Sequence, residues 1–282
     1  MTLLPAATEI VCALGLRDRL AGRSHCCDFP ADVAALPALT RARVEARQRS
    51  GALDAEVRRV REQALPLYDL DAARLSMLAP DVVVTQEACA VCAVSYAQVE
   101  DSLRRASVPA RIVSLAPARL ADVVEDVRRV ALACGVRERG DVLATSLRAR
   151  LLAAGRPSST RPRIALVEWL DPLMLAGHWV PEAVEAAGGA YVGPAPGEPS
   201  PYFSWEALAE LRPDAVVVAP CGFDLERTRR EADPFEARLR GLAPRLLLMD
   251  GNAHWNRPGP RLVDAVEALA GWLRQPSPVL TA

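Results

Sequence analysis

The chain has 282 residues, about half of them apolar, and a formal net charge of −1, which allows two domains or one large one around a sizeable core. A balanced charge gives no sign of a nucleic-acid or anionic-membrane partner, and no stretch is long and apolar enough to cross a bilayer. Lysine is absent, so every ion pair made by a basic side chain other than histidine uses the planar arginine guanidinium.

The first sixteen residues are as apolar as a secretion signal, but they carry no basic start and Glu9 interrupts them. Thr8 reads as a helix N-cap and Gly15 as the stop. As written the chain is expected to be leaderless and cytoplasmic. Seven cysteines in a reducing compartment then favour metal or redox roles over disulfides. A strand near Leu20–Arg23 runs into Ser24-His25-Cys26-Cys27-Asp28. The run Arg41–Arg49 is a solvated face. Leu75 to Val84 reads as a helix end, a Pro80-Asp81 turn and a buried strand over Val82–Thr85, followed by Cys89-Ala90-Val91-Cys92. A further strand covers Arg111–Leu115.

From Ala118 to Gly155 apolar residues recur at helical spacing (Leu120, Val123, Val124, Val127, then Val142, Leu143, Leu147, Leu151), predicting one long helix kinked near Gly135. Strands follow at Arg163–Val167, Ala215–Val218 and Leu246–Met249, with a loop at Pro194–Pro201 and a last helix over Pro260–Leu273. The segment Leu208 to Val218 repeats the pattern of Leu75 to Val84, including Pro213-Asp214, and it too runs into a cysteine, Cys221. Parallel strands with helical crossovers in two similar α/β lobes account for both halves.

Thiols gathered at strand ends point to a metal or cluster site. Cys89 and Cys92 have the x-x spacing that binds one soft ion from one turn, and Cys27 (or Cys26) and Cys221 come from similar loops. Three ligands, Cys27, Cys89 and Cys92, would hold a 4Fe-4S iron–sulfur cluster with one iron open, with Cys221 nearby. Four thiolates would instead close a structural zinc site. Cys12 and Cys134 lie on apolar helical stretches and read as core.

Several motifs carry a resemblance. The N-terminal Leu3-Leu-Pro-Ala-Ala-Thr-Glu-Ile-Val-Cys-Ala-Leu-Gly-Leu16, the segment Tyr68-Asp-Leu-Asp71 and the two Pro-Asp strands resemble the helical-backbone (class III) substrate-binding proteins of ABC transporters, cobalamin and ferric-siderophore type. The resemblance implies two Rossmann-like lobes, 1–117 and 163–282, joined by a single long α-helix over 118–162, with a ligand cleft between the lobes and an ABC permease as partner. The segments Ser24–Pro30, Glu168-Trp-Leu-Asp-Pro172, Gly177-His-Trp179 and Asp250–Arg261 set this chain apart as a leaderless, cysteine-rich branch. There the pattern His25-x-Cys27-Asp28 selects Cys27 over Cys26.

All three histidines, His25, His178 and His254, lie in these strand-end loops. With Glu168 they are the candidates for proton transfer, weighed against ordinary structural hydrogen bonding. Asp171 and Asp224 read as carboxylates or helix caps. Trp169, Trp179 and Trp255, with Asn252, Asn256 and Arg257, are the candidate substrate-binding set. The tryptophans would wall a flat ligand and the arginine would grip an anion. Neither a GxGxxG nor a P-loop is present. The leading expectation is an enzyme using the open cluster iron on a small polar substrate, by sulfur transfer or dehydration-type chemistry. The alternatives are a cobalamin or ferric-siderophore binding protein, and the same fold with a structural zinc.

Overall fold

The structure is a computed structural model and describes residues 1–86, 94–155 and 161–275. The chain divides into two compact units, the first formed by Met1–Gln48, Ala52–Pro117 and Asp122–Ser146, the second by Arg49–Gly51, Ala118–Ala121 and Leu147–Ala282.

The first half of the chain runs through α1 (Pro5–Ala13), β1 (Thr40–Ala42), α2 (Ser50–Glu62), β2 (Tyr68–Leu70), α3 (Ala72–Leu78), β3 (Val82–Gln86), α4 (Tyr96–Ala106), β4 (Arg111–Leu115), α5 (Leu120–Ala133) and α6 (Arg137–Ala154). β3 and β4 pair in parallel from Val82↔Arg111 to Gln86↔Leu115, and Thr2 bridges Val84 in parallel on the other side. β1 and β2 form a separate antiparallel ladder. Met1, Leu3, Leu39, Leu75, Val83, Val94, Val99 and Leu103 make the core. Each such buried side chain contributes about 1.5–3 kcal/mol over leaving it in water.

Two local expectations are corrected. The helix starts at Pro5, which sits in its first turn, where a missing N–H costs nothing. Thr8 is therefore an inward-facing residue of α1 and no cap. The strand expected at Leu20–Arg23 shrinks to one bridge, Arg23↔Ala38, and the Arg23 guanidinium ties the loop that follows through the carbonyls of Val33, Ser24 and Ala34.

The connector is helical but bends. Gly135 has φ 73°, the left-handed conformation that ends a helix. Across the corner Arg128 Nε bonds Asp141 Oδ1 at 2.9 Å.

The second half runs through β5 (Arg163–Leu170), β6 (Leu173–Leu175), α7 (Val180–Ala186), β7 (Ala190–Tyr191), α8 (Trp205–Glu210), β8 (Ala215–Val218), α9 (Leu225–Ala232), α10 (Glu236–Leu242), β9 (Arg245–Leu248), a π-helical turn at Gly251–Trp255 and α11 (Arg261–Leu273). The sheet has the order β6-β5-β8-β9, with β7 also on β5. β5, β7, β8 and β9 are parallel, and β6 returns antiparallel to β5. Ile164 to Val167 and Ala215 to Val218 are all 0% exposed. Both faces of these strands are covered, which is why they read as continuous apolar runs rather than alternating ones.

Candidate functional site

In open parallel sheets ligands bind beyond the carboxyl ends of the strands, and there the second unit changes character. Along β5 burial is complete from Ile164 through Val167 and breaks at Glu168, which is half-buried. The Gly177 N–H donates to Ser200 Oγ at 3.0 Å, and that hydroxyl donates to Glu168 Oε2 at 2.8 Å. Gly177 is required by this contact, since a Cβ there would stand 2.3 Å from the Glu198 carbonyl oxygen. Tyr191 donates to the Ala176 carbonyl close by. Burial, with the Glu168 charge behind it, pushes the Tyr191 phenol well above its ordinary value.

His178 follows directly, at φ 52°, a conformation uncommon for a non-glycine residue. Two main-chain bonds hold it: His178 N–H to the Glu198 carbonyl at 2.6 Å and Gly197 N–H to the His178 carbonyl at 3.0 Å. Its imidazole stacks on Trp179 at 5.8 Å between ring centres. Burial holds its pKa below the ordinary histidine value, so at neutral pH it is an uncharged nitrogen base.

β8 and β9 add the rest. Cys221 N–H donates to the Glu168 carbonyl at 3.0 Å, and Asn252 N–H to the Phe223 carbonyl at 3.0 Å. Trp169 packs on Phe223 with 5.0 Å between ring centres and donates from Nε1 to the Asp171 carbonyl. Trp179 Nε1 donates to the Trp255 carbonyl at 3.0 Å. Glu168, Trp169, His178, Trp179, Cys221 and Asn252 thus stand at one edge.

Others in the expected set support this edge from within. Trp255 is 0% exposed, its Nε1 on Met249 Sδ at 3.1 Å. It is a packed anchor, and a ligand does not reach its ring in this arrangement. Asn256 gives its amide to the Ala219 and Gly251 carbonyls. Arg257 is buried and donates to Asn252 Oδ1 at 2.9 Å. Asp250 caps the π-helical turn through Ala253 N–H at 2.6 Å. His254 is half-buried in that turn. Its Nδ1 has no hydrogen-bond partner among the described residues, and burial first, then the Arg261 charge, lowers its pKa. Asp224 is a helix cap, accepting from Arg227 N–H at 2.7 Å. Asp171 precedes no helix and lies in the β5–β6 turn.

His25 and Cys27 belong to the first unit. His25 Nδ1 lies 2.7 Å from Thr40 Oγ1, and its pKa is lowered by burial and then by Arg23. Cys27 is buried, and Thr8 Oγ1 donates to its sulfur at 2.9 Å. Cys89 and Cys92 lie outside the described residues. Among the described residues, no group of three or more His, Cys, Asp or Glu side chains is placed to hold a metal ion, so neither the cluster nor the zinc site gains support. Ser200 and Tyr191 went unrecognised in the sequence. Ser200 falls in the Pro/Gly-rich segment, where no periodicity marks which residue turns inward.

Solved structures match almost the whole chain. A periplasmic heme-binding protein of Pseudomonas aeruginosa matches at TM-score 0.70 and 23% identity, over 96% of this chain and 90% of that one. The heme-binding RhuT of Roseiflexus sp. RS-1 matches at 0.68 and 22%, over 95% of each. The vitamin B12 binding protein BtuF of Vibrio cholerae matches at 0.63 and 17%, over 97% and 95%. The chain therefore has the α/β fold of the periplasmic binding proteins, as the motif resemblance implied. No protein-family model and no curated protein sequence matches it.

Proposed function

We propose that the chain binds a metal tetrapyrrole, heme or a cobalamin, and presents it to an ABC permease. The reading is supported by the heme and vitamin B12 that the proteins sharing its fold bind. The observation that carries it in this chain is His178. An uncharged, half-buried imidazole is fixed in a left-handed backbone against Trp179 at the carboxyl edge of a parallel sheet. Neutral imidazole ligates iron and cobalt, and indole faces suit a flat macrocycle. The donor set at this edge fits the group. His178 would supply the nitrogen and Trp169 and Trp179 the walls, while Glu168 is held by Ser200 as a fixed acceptor for polar substituents. The bound metal centre would be cargo.

The test is titration of the purified full chain with hemin and with cyanocobalamin, followed by absorbance. A saturable spectral change with one of them at micromolar concentration, weakened at least about tenfold in His178→Ala, is expected, about 1.4 kcal/mol of binding. No change with either sinks the reading. Iron and acid-labile sulfide in anaerobically purified protein would instead favour the cluster chemistry expected of Cys27, Cys89 and Cys92.

A further inference from the structure

The first unit carries a second constellation, to which the proposed function assigns no role. Of the five described cysteines, Cys26 is the one exposed to solvent, and none of the five is in a disulfide. Its Sγ stands 3.2 Å from His25 Nε2, and the other ring nitrogen, Nδ1, is 2.7 Å from Thr40 Oγ1. We propose that Cys26 is a nucleophilic thiol with His25 as its proton acceptor and Thr40 as the group that orients the ring, forming a site for covalent exchange with small-molecule disulfides.

The hydrogen count around Thr40 permits this assignment. Thr40 Oγ1 accepts the His25 main-chain N–H at 3.0 Å and lies 3.0 Å from Ser24 Oγ. A hydroxyl has one proton and two lone pairs. If Nδ1 carries the ring proton it donates to the second lone pair, and the Thr40 proton goes to Ser24. Nε2 is then a bare acceptor aimed at the Cys26 thiol. Nucleophile, base and orienting group in series are the arrangement that activates a thiol. The ring is also held from the side, since Tyr68 lies 5.6 Å away between centres, tilted by 45°. The loop is fixed by Cys27 N–H on the Ser24 carbonyl at 3.1 Å.

The step balances without a further reactant. The Cys26 S–H proton passes to His25 Nε2, and the sulfur attacks one sulfur of the incoming disulfide. That S–S bond breaks, and the departing thiolate takes the proton back. One mixed disulfide and one small thiol result.

The experiment treats the full chain with dithiobis(nitrobenzoate), follows release of the aromatic thiolate, and maps the first-labelled cysteine by peptide mass spectrometry. The first label is expected on Cys26. Cys26→Ser should abolish the fast phase and His25→Ala should slow it at least tenfold. Thr40→Ser should retain the rate and Thr40→Val should lose it, with circular dichroism confirming that each variant is folded. First labelling at any other cysteine of the folded wild-type chain overturns the proposal, whatever the variants do. So does a folded His25→Ala that reacts at the wild-type rate.

Discussion

His178 occupies a backbone conformation that costs a non-glycine residue about 1–2 kcal/mol. Such strain persists where the surroundings over-determine it, and it gathers at functional sites. Two main-chain bonds to the Gly197–Glu198 segment supply that constraint. His178→Gly should therefore leave the melting temperature unchanged or raise it by a few degrees, since about 1 kcal/mol moves it by 2–4 °C in a chain of this size. The same variant should bind hemin or cobalamin more weakly. Full affinity in the glycine variant would show that the imidazole has no part in binding. The motif around His178 was legible because an aromatic and a histidine beside glycine stand out in an apolar chain. The backbone strain was not, because φ at one residue is set by contacts with a segment twenty positions on. Asn256 and Arg257 show the same limit from the other side. Their residue types suggested ligand contact, yet their hydrogen bonds go to the Ala219 and Gly251 carbonyls and to Asn252. A sequence does not reveal whether a polar side chain points outward or braces its own loop.

At the scale of elements, the two Pro-Asp strands were legible because a strand buried on both faces must be an unbroken apolar run. β3 and β8 appear where Val82–Thr85 and Ala215–Val218 placed them, give or take one residue. The π-helical turn at Gly251–Trp255 had no such signature, and its geometry rests on close approach. A Cβ on Gly251 would lie 2.1 Å from the Pro220 carbonyl oxygen and 2.6 Å from the Ala219 carbonyl carbon. Those atoms are main chain and cannot swing aside. Gly251→Ala should push the turn off the end of β8, at a cost of about 1–3 kcal/mol, and should weaken ligand binding along with the Trp179–Trp255 bond. Gly135→Ala is the contrast. No atom lies within 4 Å of a Cβ there, so only the left-handed φ resists it. A loss of about 1 kcal/mol with ligand affinity intact is expected. Equal effects of the two substitutions on binding, measured by the same titration, would mean that the turn does not shape the site.

Across the whole molecule, stability should depend on pH through a buried carboxyl of the first unit as well as through the histidines. Asp126 on α5 is 0% exposed, and its Oδ2 has no partner among the described residues. Burial, only partly offset by Arg129 at 3.1 Å, raises its pKa to about 7, with Asp122 and Glu125 adding to the rise. The native state then holds a proton that the unfolded chain releases near its ordinary value. In that window the unfolded state binds fewer protons, so folding stability falls as pH rises from about 4 to about 7 and is level above. His25, His178 and His254 act in the opposite sense. Their native pKa values are lowered, so the unfolded chain binds the extra protons and stability rises with pH toward 6.5. The measured curve of the wild type mixes these slopes, and a single substitution separates them. Asp126→Asn keeps an oxygen for Arg129 and removes the charge. Between pH 5 and pH 8 the wild type should lose about 2–3 kcal/mol more stability than Asp126→Asn, read by urea unfolding at the two values. The histidine contributions are common to both proteins and cancel in that difference. Parallel pH curves for the two would mean that Asp126 is ionised in the native state throughout, and that the Arg129 guanidinium outweighs its burial.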